Sequence, residues 1–287
     1  MTDECWATFS TIDHRSPMYR RALVLFDRIV VPMPSRPVGD QTEQELEQLA
    51  ADVAYLERHD AAVGARWDSQ EFQSWRRPFM AEAVAGKLNR NIFHDSRLML
   101  MEKAELMKPP GVEEVVAVPV YSGAESLQQT LDSLMSVQQA LNVEIMHRLP
   151  VPADDTPLSD LVGLRRKASF MASMRDLRRW QQRVLPEIDA ARSKPAAIRA
   201  AMQEFDQAVA KYREAMNDAR FKKAEVGLCV IIAIGTALAG HLTVAALAGA
   251  TPKLFSLREL MRPSWKQVAE KDCAFAGVVY DVQHSLR

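Results

Sequence analysis

Met18–Pro34 reads MYRRALVLFDRIVVPMP, and the reading of this stretch decides the fold class. Its β-branched and aromatic centre, closed by proline, reads as a buried strand over about Ala22–Val31. A strand this apolar needs helices or other strands against it, so a chain containing it is not all-helical. Alternation along the strand puts Asp27 on the face of Leu23, Leu25 and Ile29, with Arg28 pointing the other way. A carboxylate in that setting must find a partner or take up a proton. The readings that stay open for Asp27 are a partly exposed strand face, a pairing with an arginine, or an active-site carboxylate near the sheet.

Outward from that strand, PMPSRPVGD is a loop, because three prolines and a glycine break regular structure. Thr42-Glu43-Gln44-Glu45 forms a capping box, and Leu46, Leu49, Val53 and Leu56 follow at helical spacing, which predicts a helix over about Glu43–His59. A second helical stretch covers about Ser69–Lys108, broken near Arg90-Asn91 and ended by Pro109-Pro110-Gly111. EVVAVPVY, Glu114–Tyr121, reads as a second strand, and Pro119 inside it suggests an edge position or a strand end. Ser122–Glu125 is another capping box, with Leu127, Leu131, Leu134 and Leu141 on the buried face of the helix it opens. NVEIMHRLPVP, Asn142–Pro152, reads as a third short strand.

The chain is helical from Asp154 onward. Thr156 caps and Pro157 starts a helix to about Leu185. After Ser193 and Pro195, the residues Ile198, Met202, Phe205, Val209, Tyr212, Met216 and Ala219 alternate at steps of four and three, the pattern of a helix packed along another helix. The expected fold class is α+β, predominantly α-helical. A small three-stranded sheet with helices fills residues 1–152, and a helical part fills 153–287.

The helical part carries an apolar segment, Val226–Ala250, without a charged residue. It is long enough to cross a bilayer, and Arg220, Lys222, Lys223 and Lys253 flank it. Against a span stand the cost of His241 near its centre and the lack of a Trp or Tyr belt. Four glycines, Gly240 among them, favour two shorter core helices joined at Gly240-His241. The first reading is a buried hairpin and the alternative is insertion in a membrane, with Ile232, Gly235, Gly240 and His241 as the residues that would carry either.

The chain has 287 residues, 48% apolar and 25% charged, with a net charge of −1. That is a globular composition and argues against a surface that binds nucleic acid throughout. Three separated cysteines form no disulfide framework and fit a reducing cytosol. The start, MTDECWATF, has no basic stretch followed by an apolar one, so no secretory signal is expected. No HExxH, Cys/His cluster, P-loop or nucleophile elbow is readable, so neither a metal, a cofactor nor a catalytic residue is expected.

Charge is concentrated in two places. Arg165, Arg166, Lys167, Arg175, Arg178, Arg179 and Arg183 face only one acid, Asp176, and helical spacing lines up Arg175, Arg179 and Arg183 with Arg165 close to the same line. Phe170, Met171, Met174 and Leu177 are expected to face away from that stripe. Asp40–Asp60 carries seven acids and one arginine, so the two helices could simply pair or be solvated. The stripe otherwise suits a protein partner or an anionic lipid surface. Nucleic acid is disfavoured, since only Trp180 lies nearby for base stacking.

LPVPADDTPLSDLVGLRRKASFMASMRDLRRW, Leu149–Trp180, resembles a block of uncharacterised bacterial proteins in which an LPVP strand end, an acidic Thr-Pro helix start and a Leu/Arg/Trp helix follow one another. Those proteins also carry an early strand similar to LVLFDRIVVP and a late apolar stretch. The resemblance implies a shared fold; it transfers no activity and no functional residue. The expectation that follows is a non-enzymatic cytoplasmic interaction or regulatory protein of a bacterium, acting on a protein partner or a second copy through its helical half. The alternative is a membrane-associated, toxin-like or defence-type effector at the inner membrane that inserts residues 226–250.

Overall fold

The structure is a computed structural model that describes residues 2–10, 16–85, 92–121, 135–153, 155–239 and 273–286. Among these residues the chain is mostly helical, with nine α-helices and one four-stranded sheet. The strands are β1 (Thr2–Thr8), β2 (Arg28–Met33), β3 (Ala62–Arg66) and β4 (Val112–Pro119), in the spatial order β3-β2-β1-β4. Every neighbouring pair is parallel, with Ala7 in register with Ile29 on one side and Val118 on the other. The sheet therefore has four strands, not three, and each parallel step needs a crossover connection.

That topology corrects the opening stretch. Ala22–Leu25 belong to α1 (Pro17–Leu25), and the strand begins only at Arg28. Ser16 caps α1 by accepting from the Met18 N–H at 3.0 Å, and Pro17 follows in the first turn. A short apolar run looks the same in a buried helix and a buried strand, and here the parallel ladder decides in favour of a helical crossover. Asp27 lies in the turn between α1 and β2, so the strand alternation assigned to it does not hold.

Helices cover both faces of the sheet. Ala7, Phe9, Ile29 and Val31 face α1 and α2 (Glu43–Arg58). Trp6, Val30, Ala65 and Ala117 face α3 (Gln70–Val84) and α4 (Ile92–Met107), through Phe72, Met99 and Leu100. The Thr42–Glu45 capping box is present, with Thr42 N–H donating to Glu45 at 2.7 Å and Glu45 N–H to Thr42 at 3.2 Å. At Gly64 a β-carbon would press on Val53 and Glu57, so glycine lets α2 lie close to β3.

Side chains cap part of each sheet edge. Glu57 accepts from the outward Gly64 N–H of β3 at 2.9 Å. On β4, the expected edge strand, Glu105 accepts from Val115 N–H at 2.6 Å, while Lys108 and Gln139 donate to the Glu113 and Ala117 carbonyls at 2.5 Å each. Such capping is a common defence of exposed strands.

The expected third strand over Asn142–Pro152 is helix α5 (Val137–Arg148) instead. A capping box between Ser136 and Gln139 starts it, and Leu141, Ile145 and Met146 bury one face. The Ser122 capping box and the leucine positions up to Leu134 lie outside the described residues. Thr156 and Pro157 introduce α6 (Leu158–Arg165) with Pro157 as the N-cap, and the chain breaks at Arg166-Lys167 before α7 (Ala168–Ala190). One long helix was expected there, and two are present. α8 runs unbroken over Lys194–Ala239, and α9 covers Gly277–Ser285. Ile198, Met202, Phe205, Tyr212 and Met216 are buried, as their spacing predicts, while Val209 of the same series is half-buried. One apolar cluster joins sheet residues such as Ile29 to Leu141, Trp180, Phe205 and Val279, across the expected boundary at Pro152.

Candidate functional site

Asp27 is bound from three directions. Its N–H donates to the Cys5 carbonyl at 2.8 Å, and its carboxylate Oδ2 accepts from Cys5 N–H at 2.8 Å. Oδ1 accepts from Arg178 Nη2 at 2.5 Å. The Asp27 carbonyl accepts from Arg165 Nη2. The turn after α1 is thus tied to β1, α6 and α7 together. The break at Arg166-Lys167 lets α6 and α7 each bring one arginine to the same aspartate.

Beside this cluster lies a cavity of about 420 Å³. Val24, Leu25 and Phe26 form one wall, and Phe170, Met171 and Met174 of α7 form the other. Arg165, Arg175, Arg178 and Asp27 supply the polar lining. Arg165 Nη1 is buried and has no hydrogen-bond partner. Arg175 is exposed at the rim. Three guanidiniums against one carboxylate leave a local excess of two positive charges.

The electrostatics follow from burial and from Asp27. Burial pulls the Arg165 guanidinium below its ordinary range, and the Asp27 charge only partly restores it. At Arg178 burial acts in the same direction, but the charge and hydrogen bond of Asp27 outweigh it and raise the guanidinium overall. Burial first and the Asp27 charge second push the Cys5 thiol far up, so it stays protonated and is a poor nucleophile. Next to the cluster, Glu4 accepts from Arg28 Nε at 2.9 Å and from Trp6 Nε1 at 2.7 Å.

Among the residues singled out in the sequence, Asp27, Arg165 and Arg175 come together here. Arg179 and Arg183 do not. Arg179 pairs with Asp176 at 3.0 Å, and Arg183 donates to Glu204 of α8, which also accepts from Trp180 Nε1 at 2.9 Å. Steps of four residues rotate by about 40° each, so a stripe of such steps fans out along the helix. Arg178, one turn beyond Arg175, completes the cavity; spacing alone could have placed it there. Met171 and Met174 line the same cavity and do not face away from its arginines. The ion pairs seen from the acidic segment run to elements other than α7: Glu57 reaches Arg66 at 3.8 Å, and Asp60, past the end of α2, reaches Arg28 at 3.2 Å. Ile232 and Gly235 lie in the backbone of α8, while Gly240 and His241 fall outside the described residues.

A second polar cluster, which no sequence pattern announced, sits where β1 and β4 end. Arg97 of α4 is 1% exposed, donates to Ser10 Oγ at 3.3 Å and lies over the Tyr121 ring at 4.3 Å. Thr8 Oγ1 donates to the Arg97 carbonyl at 2.9 Å. β1 and β4 flank the point where the strand order reverses, the place where open parallel sheets form their crevice.

Among the described residues, no group of three His, Cys, Asp or Glu side chains is arranged to hold a metal ion. Comparison with protein-family models, with curated proteins and with solved structures finds no match to this chain.

Proposed function

We propose that the chain is a non-enzymatic interaction or regulatory protein of the bacterial cytoplasm, working through the cavity side of α7. The observation that carries this reading is the surplus of arginine charge around an apolar cavity. The partner expected is a protein or a second copy that presents an anionic group. The test is cross-linking in cells with two variants. Arg175→Glu reverses a charge at the rim and is expected to abolish the cross-linked species. Arg179→Glu, a residue engaged with Asp176, is expected to leave them in place. Identical cross-linking in both variants overturns the reading.

A second reading, a membrane-associated effector, draws support from α8. The helix carries Val226–Ala239 as an unbroken extension of its packed part. Among the described residues no helix is long and apolar enough to cross a membrane, and the segment 240–250 lies outside them. An alkaline carbonate wash of membrane pellets separates the two: retention that Ile232→Asp abolishes supports insertion, and complete release removes it.

A further inference from the structure

We propose that the α1–α7 cavity is an effector site for a small anionic amphiphile: a carboxylate or phosphate-monoester head on an apolar body. The inference rests on the reading that this side of α7 is the working surface, and it names the chemistry of the occupant.

The head group follows from the excess of guanidinium charge. Asp27, the one acid in the lining, is already engaged by Cys5 N–H, Arg178 and Arg165 Nη2, so a single carboxylate stands against three guanidiniums. Arg175 adds a third cation at the rim, and no ion pair neutralises it among the described residues. An anion entering here would meet the accessible guanidiniums of Arg175 and Arg178, with the charge of buried Arg165 behind them. Guanidinium groups favour carboxylate and phosphate oxygens because they offer paired N–H donors.

The body follows from the walls. Val24, Leu25, Phe26, Phe170, Met171 and Met174 give the cavity an apolar interior with no further charge. Met171, at 47% exposed, is a large apolar side chain left partly in water at the mouth. Methionines adapt to irregular ligand shapes. A volume of about 420 Å³ lies within the range of small-molecule sites, roughly 300–1,000 Å³. An inorganic ion would leave these walls wet, and a neutral apolar molecule would leave the guanidiniums unanswered.

The position gives the occupant something to regulate. The cavity wall is built from α1, α6 and α7, the elements that Asp27 ties to β1. A ligand that engages Arg178 binds to a side chain that holds this seam, so occupancy biases how α7 is presented to a partner.

The experiment is calorimetric titration of the full chain with decanoate, decyl phosphate, decanol and inorganic phosphate, each below any micelle concentration. Expected is saturable one-to-one binding of decanoate or decyl phosphate, with the tighter of the two identifying the head group. Decanol and inorganic phosphate are expected to bind roughly tenfold or more weakly. Met174→Trp, which fills the cavity, is expected to weaken the anionic ligand by about tenfold or more. Arg175→Ala, at the exposed rim, is expected to weaken it several-fold without unfolding the chain. Binding of decanol as tight as that of decanoate, unchanged binding in Met174→Trp, or no saturable binding of any probe overturns the inference. The titration uses the isolated chain, so its failure leaves the partner reading standing. Cross-linking indifferent to Arg175→Glu overturns that reading and leaves the ligand site standing.

Discussion

Asp27 and Cys5 hold each other by two hydrogen bonds of 2.8 Å, one from each backbone N–H. This double link fixes the turn before β2 against the central strand β1, and it aims the second carboxylate oxygen at Arg178. Asp27→Asn keeps the shape but removes the charge that faces Arg178 and Arg165. The expected loss of stability is about 1–3 kcal/mol, the cost of leaving a partly buried charged donor poorly answered. Urea unfolding of the two proteins, compared at equal slope, measures it.

Asp281 on α9 is the source of an expected pH dependence. Burial raises its carboxyl from 3.8 to about 6, against a smaller opposing pull from Lys167, and Oδ2 has no hydrogen-bond partner. The folded state therefore holds this proton more tightly than the unfolded chain. The stabilisation is fully present below the unfolded value near 4 and is lost as pH rises through about 6. Asp281→Asn removes the titration. Relative to the parent, it is expected to gain about 1–3 kcal/mol between pH 4 and pH 8. Unfolding midpoints at the two pH values check it, and a difference that does not grow with pH refutes it.

Gly277 opens α9 at its closest approach to α7 and α8. A β-carbon there would overlap Ser173 Oγ and crowd the Tyr212 ring. Gly277→Ala is expected to destabilise the chain by about 1–3 kcal/mol through overpacking. Removing the hydroxyl in the double variant Gly277→Ala/Ser173→Ala is expected to recover part of that loss, read from thermal unfolding.

Phe275 docks the C-terminal turn. Its ring stacks on Trp180 at 5.1 Å and lies 5.9 Å from Phe205, so three elements meet around it. Phe275→Ala is expected to cost about 3–5 kcal/mol. Near-ultraviolet circular dichroism of the variant should lose aromatic signal before the far-ultraviolet helical signal changes.

The helical grammar was the most legible part of the sequence. The Thr42–Glu45 capping box and the buried series from Ile198 to Met216 depend on local spacing, and the structure has both. The strands were harder to read because their identity depends on partners distant in sequence. β1 is a short, mixed segment, TDECWAT, that becomes the central strand only between β2 and β4. β3, AVGAR, has one β-branched residue and owes its conformation to pairing with β2. Ala22–Leu25 and Asn142–Met146 were misread because short apolar runs suit helix and strand alike. At the site, Asp27 stood out as a charge in an apolar run, and its arginine partner was anticipated. That Arg165 and Arg178 meet at it, with the cavity beside them, depends on the break at Arg166-Lys167, which no local signal marks.

The capped margins of the sheet make it finite. With Glu57 on the outer side of β3, and Glu105, Lys108 and Gln139 on the outer side of β4, an incoming strand finds these backbone groups already answered. Growth by strand addition, the route to fibrils and to swapped dimers, meets resistance at both margins. Among the described residues, helix faces are then the less hindered surfaces for assembly, where contacts depend on side-chain shape and charge and leave the hydrogen-bonded ladder underneath undisturbed.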